Sequence, residues 1–142
     1  MNAARRWLVW LAVVAVAVGC NKPNPKQSVF QQLSLAEALQ QAKADDKLVM
    51  IDFYADWCGY CDKLDDTTWK DAKVQAWLRG HVVPIKIDVD AEQDLAAKYQ
   101  VRGLPTIVFL KPDGSEVERV GGYVDEDVFL QEVVPAVEKK AR

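Results

Sequence analysis

"FYADWCGYCDKL", residues 53–64, sets two cysteines three positions apart, directly after an apolar run and ahead of a stretch with helical spacing. The run before it, "LVMIDFYA" (48–55), is short, apolar and bounded, as a buried strand is. From Gly59 to about Arg79 the apolar residues recur at helical spacing, with a break expected near "TTWKDA", where the threonines and Asp71 can restart the helix. "VVPIKIDV" (82–89) reads as a second strand, so strand, helix and strand form a β-α-β unit whose strands are parallel. "AEQDLAAKYQ" (91–100) is a helix returning from it. "TIVFLK" and "SEVERV" flank Pro112-Asp113-Gly114, a turn signal that predicts an antiparallel hairpin. Upstream, "SLAEALQQAKADDK" carries Leu35, Ala38, Leu39 and Ala42 at helical spacing behind a capping box of Ser34 and Glu37. A last helix begins near Asp125, and Pro135 is expected to kink it or end its regular part. The fold class is α/β, a small mixed β-sheet with helices on both faces.

The cysteine pair admits three uses: metal binding, a static disulfide or redox chemistry. A structural zinc site takes four cysteine or histidine ligands, and the domain offers Cys58, Cys61 and the single His81, one ligand short. Covalent haem attachment requires histidine directly after the second cysteine, where this chain has Asp62. No metal site is therefore expected. A strand end followed by a helix start brings Cys58 to first-turn amides whose partial positive charge stabilises a thiolate, so Cys58 reads as the nucleophile. Cys61 lies one helical turn deeper on the same side, within reach of the Cys58 sulfur, and reads as the resolving thiol. Gly59 and Tyr60 between them leave backbone amides accessible and give the rim an aromatic surface.

A chain of 142 residues has room for one ordinary domain plus an extension. The extension is N-terminal. "MNAARRWLVWLAVVAVAVGC" has Arg5 and Arg6 ahead of an uncharged apolar run of 11 residues, Leu8 to Val18, the layout of a secretory signal and well short of the roughly 20 residues that span a bilayer. Its end, Ala17-Val18-Gly19-Cys20, resembles the bacterial lipobox, which implies cleavage before a lipidated Cys20, although Ala17 stands where leucine is commonest. Cysteine counting agrees: three thiols would leave an odd one in an oxidising compartment, whereas lipid on Cys20 leaves Cys58 and Cys61 to pair. Loss of residues 1–19 takes away two arginines and moves the formal charge from -3 to -5. An acidic protein without a basic face or aromatic-basic interleaving is not expected to bind nucleic acid. "NKPNPKQSVFQQ" (21–32), with Pro23 and Pro25, reads as a tether. The expected organisation is a lipoprotein signal peptide over 1–19, lipidated Cys20 and a flexible tether over 20–33, and the domain over 34–142.

"DFYADWCGYC" (52–61), "KIDVD" (86–90) followed by "AAKYQVRGLPT" (96–106), and "VGGY" (120–123) together resemble the thioredoxin family, most of all the periplasmic C-terminal domains of membrane thiol:disulfide interchange proteins. The resemblance runs from Ser34 to about Val134. It implies that Asp52 is the buried acid that helps deprotonate the resolving cysteine, and that Lys86 is the lysine beside that acid. It implies that Pro105 is the cis-proline whose loop faces the cysteines, and that Trp57, Gly59, Tyr60, Leu104 and Gly121 contact substrate. Trp69 and Trp77, at helical spacing, are expected in the core with no chemistry. Two positions depart from thioredoxin: Tyr60 stands where it has proline, and Asp62 stands where a lysine or similar residue commonly follows the motif.

The expected activity is that of a monomeric, membrane-anchored, cell-envelope thiol-disulfide oxidoreductase without cofactor. It mainly reduces disulfides of envelope proteins, with a membrane thiol transporter as electron donor. An oxidase or isomerase using the same pair is the second reading, and a structural or chaperone-like module with a static disulfide is the third.

Overall fold

The computed structural model describes residues 28–142, so the expected signal peptide, Cys20 and residues 20–27 of the expected tether lie outside the described residues. The first helix, α1 (Leu35–Asp45), starts at the expected capping box: Ser34 accepts from the Glu37 amide, and the Glu37 carboxylate accepts from the Ser34 amide at 2.8 Å. Its C-terminus closes on Asp46 in the left-handed region, φ 54°. Strand β1 (Leu48–Tyr54) leads to the cysteine loop. Helix α2 (Gly59–Asp66), a 3₁₀ turn (Thr68–Lys70) and α3 (Ala72–His81) follow, with the restart at Asp71, whose carboxylate accepts from the amides of Lys73 and Val74. β2 (Val82–Asp88), α4 (Gln93–Lys98), β3 (Thr106–Leu110) and β4 (Glu116–Gly121) come next.

The sheet order is β2-β1-β3-β4, with β1 and β2 parallel and β3 antiparallel to both β1 and β4. It is the mixed sheet expected. Gly114, at φ 86°, closes the β3–β4 turn by donating to the Lys111 carbonyl, a conformation that favours glycine. Side chains alternate across the sheet, so Val49, Ile51 and Phe53 face one layer with α1, while Met50 and Asp52 face the other with α2 and α3. Both faces are covered.

The last helix begins after Asp125 and loses its regular α form just before Pro135, as expected, but does not stop there. Asp125 caps α5 (Glu126–Val128), a π-helical stretch (Phe129–Val133) follows, and α6 (Val134–Ala141) continues past Pro135. Pro135 does not end the helix: the chain stays helical on both sides of it, and the regular α pattern is broken in the turn just before it. The wider turn, with the Val134 amide on the Phe129 carbonyl, takes up the mismatch just before it.

The domain also begins earlier than Ser34. Val29 is buried, the Gln31 amide donates to the Pro84 carbonyl at 2.9 Å, and Gln31 forms a parallel bridge with Ile85 on the edge strand. Residues 29–33 belong to the domain and not to a tether, because Val29, Phe30 and Leu33 bury apolar surface against the two core layers.

Candidate functional site

Cys58 is the N-cap of α2, in extended conformation, and its sulfur accepts from the Cys61 amide at 3.1 Å. Strand β1 ends at Tyr54, and the Cys58 amide folds back on the Ala55 carbonyl, so the turn delivers the sulfur to the free amides of the helix start. Cys58 and Cys61 are disulfide-bonded with Cα atoms 5.2 Å apart, inside the ordinary range for such a bridge. Both are buried. Trp57 and Tyr60, 70% and 65% exposed, flank them and are the exposed large hydrophobic residues of the described chain. Trp57 does not swing free: its indole N–H donates to Asp90 at 2.8 Å. An added Cβ at Gly59 would meet nothing within 4 Å, so this part of the rim is open.

The Leu104–Pro105 peptide is cis, and Leu104 packs against the cluster of Ala55, Cys58 and Cys61. The Pro105 carbonyl accepts from the Gly122 amide, and Gly121 pairs with Thr106 at the adjoining end of β4. Of the residues expected at the rim, Trp57, Gly59, Tyr60 and Leu104 thus surround the pair, and Gly121 is fixed beside the Pro105 loop.

On β1, the strand that leads to the pair, lies Asp52, 1% exposed. Parallel register sets it directly beside Lys86, whose ammonium is 3.4 Å from Asp52 Oδ2. The other oxygen, Oδ1, is buried without a hydrogen-bond partner. Burial pushes the Asp52 carboxyl up to about 6, with Lys86 and the Trp69 N–H pulling the other way. Lys86 is shared: its ammonium sits 2.6 Å from both oxygens of Asp65.

Two members of this network are absent from the sequence reading. Trp69 is a core residue as expected, but its indole N–H donates to Asp52 Oδ2 at 3.0 Å, so it also holds the buried acid. Asp65, one of several acids close to the pair in sequence, is joined to Lys86 only by the packing of β2 beside α2. A buried acid and a core tryptophan were the one available signal, since a buried indole N–H seeks an acceptor. His81, weighed against a metal role, is stacked on Trp77 with ring centroids 5.0 Å apart and its Nδ1 on the Trp77 carbonyl at 2.8 Å.

Comparison with known proteins agrees with this geometry. The profile of a thioredoxin-like domain family matches residues 35–134. The thiol:disulfide interchange protein DsbD of Yersinia pestis is 39% identical over 120 residues, 78% of this chain and 20% of the relative. The chain spans about a fifth of the length of such curated relatives. Among solved structures, a thioredoxin from Thermus thermophilus is similar with a TM-score of 0.70 and 32% identity, over 80% of this chain and 91% of that one. The C-terminal domain of Neisseria meningitidis DsbD, in its oxidised form, gives 0.61 and 30%, over 71% and 90%.

Proposed function

This chain belongs to the thioredoxin-like domain family, and from that membership we propose that it is a cell-envelope thiol-disulfide oxidoreductase that mainly reduces protein disulfides. The observation that carries the reading is the placement of Cys58 at the start of α2, with Cys61 bonded to it, behind a strand that buries Asp52. In the reduced protein the Cys58 thiolate attacks one sulfur of a substrate disulfide. A mixed disulfide forms and one substrate thiolate leaves. The Cys61 thiol gives up its proton, with Asp52 as acceptor, and attacks the Cys58 sulfur, which releases the second substrate thiolate and forms the Cys58–Cys61 disulfide. Two electrons pass to the substrate. Asp52 suits this role because a carboxyl titrating near 6 is ionised, and so able to accept, in a neutral envelope.

Trp57, Tyr60, Leu104 and the Pro105 loop form the surface that receives an extended substrate segment. The organisation completes the reading: residues 1–19 direct export, lipid on Cys20 anchors the protein at the periplasmic side, and a membrane thiol transporter supplies electrons. The test uses single variants. Cys61→Ser is expected to accumulate mixed disulfides through Cys58, identifiable by mass, while Cys58→Ser abolishes insulin reduction and traps nothing. Equal trapping by both variants would contradict the assigned order.

A further inference from the structure

The N-terminal edge of the domain lies against the two groups that hold the buried acid. Phe30 lies edge-on to Trp69, with ring centroids 5.7 Å apart at 79°, and the Lys86 ammonium stands 5.3 Å from the centroid of the same ring. Trp69 and Lys86 are the two groups whose nitrogens approach Asp52 Oδ2. We propose that Phe30 is a positioning residue of the exchange site: its ring covers the Trp69 indole and the Lys86 ammonium, keeps water from the acid they hold, and so makes the N-terminal edge of the domain part of the redox machinery.

The environment of Lys86 shows why one ring matters. Asp65 on α2 takes the ammonium at short range, Asp52 on β1 holds it more loosely, the Tyr54 ring lies 4.7 Å to one side and Phe30 covers another. The ammonium thus lies among two carboxylates and two aromatic rings, which attract a cation, while its side chain keeps 20% of its surface exposed. Around Asp52 the charged groups are Lys86 and Asp65, with the Trp69 N–H as neutral donor. On the β3 side its register partner is Ile107, which brings no charge. Burial is the largest influence on Asp52, so the cover over its partners governs its proton more than any single charge does.

Phe30 is held in place by its neighbours in the chain. Gln31 donates to Pro84, and the ring packs against the same core layer as Val29.

The inference rests on the reading of Asp52 as proton acceptor, and its test separates the two. In the full oxidised chain in detergent, the side-chain carboxyl of Asp52 is followed by carbon-13 NMR against pH and assigned with Asp52→Asn. The wild-type midpoint is expected at about 6. Phe30→Ala is expected to lower it by about half a pH unit or more as water reaches the pair, and Phe30→Leu, which keeps apolar cover, by less. Gln31→Pro, which removes the donor to Pro84 without touching the ring, is expected to move it in the same direction and serves if Phe30→Ala fails to fold. The acid limb of insulin reduction is expected to follow, and to stay put in the Asp52→Asn background. A raised wild-type midpoint left unmoved by the folded variants overturns the role of Phe30 alone. A wild-type midpoint near the ordinary carboxylate value, about 3.9, overturns that role and the reading of Asp52 together.

Discussion

Asp52 is held at a disadvantage. One oxygen has the Trp69 N–H and a loosely placed ammonium, the other has nothing, and the whole group is out of water. Its folded-state value, about 6, lies above the unfolded value of about 3.9. Between those limits the folded state keeps a proton that the unfolded chain has released, so this group lowers stability as pH rises through the window and leaves the full penalty above about 6. Two pH units correspond to about 3 kcal/mol. Asp52→Asn is therefore expected to be more stable than wild type by up to about 3 kcal/mol at pH 8 and nearly equal to it at pH 3, measured by denaturant unfolding of the oxidised forms. A variant less stable at pH 8 would mean that the Lys86 pairing outweighs burial. Trp69→Phe tests the same balance from the other side: losing the N–H that favours the charged form is expected to raise the Asp52 midpoint further, read by the same carboxyl resonance.

Among the elements, local chemistry was legible and long-range chemistry was not. The capping box at Ser34, the restart at Asp71 and the hairpin turn at Gly114 are written within four residues, and each stands where the residue types put it. Asp71 shows the scale of such signals. Its carboxylate serves two otherwise unpaired amides, and Asp71→Ala is expected to destabilise the domain by about 1 kcal/mol in denaturant titrations, with the cysteine chemistry unchanged. The cysteines were legible for the same reason, since strand, turn and helix start follow one another without interruption. The bonds from Trp69 and Asp65 were hidden because they depend on β1 lying beside β2 and on α2 crossing that face, 17 and 21 residues away in sequence. Phe30 was hidden more deeply: a polar segment with two prolines reads as tether by composition, and only the bridge of Gln31 to β2 shows where the tether stops. Pro135 marked where regularity fails, and the π-helical turn before it shows the form that failure takes.

For the molecule as a whole the open quantities are where it is held and which way electrons run. If lipid on Cys20 anchors it, Cys20→Ser is expected to abolish lipid labelling and block processing, and mature protein beginning elsewhere would overturn the anchor. The direction of electron flow turns on the charge around Cys58. Asp56, Asp62, Asp65 and Asp66 all lie near the pair in sequence, but Asp65 is neutralised by Lys86 and Asp66 is paired with Lys70. Lys63 is drawn toward the Tyr123 ring, 4.2 Å from its centroid. That leaves Asp56 and Asp62, both exposed, as unpaired acids beside the helix start among the described residues. Each disfavours the Cys58 thiolate and makes the dithiol a better donor, against Tyr60, whose replacement of proline favours a more oxidising pair. Asp62 is the more telling, since it occupies the first turn of α2, where its charge also opposes the helix-start amides that stabilise the thiolate. A potential closer to that of thioredoxin, about -270 mV, than to that of DsbA, about -120 mV, is expected from equilibration with glutathione. Asp62→Lys replaces a negative with a positive charge at that turn and is expected to raise the potential by about 30 mV or more, with a matching fall in the pKa of Cys58. A wild-type value above about -160 mV would reverse the assignment to an oxidase, and an unchanged potential in Asp62→Lys would show that solvent screens this carboxylate from the sulfur.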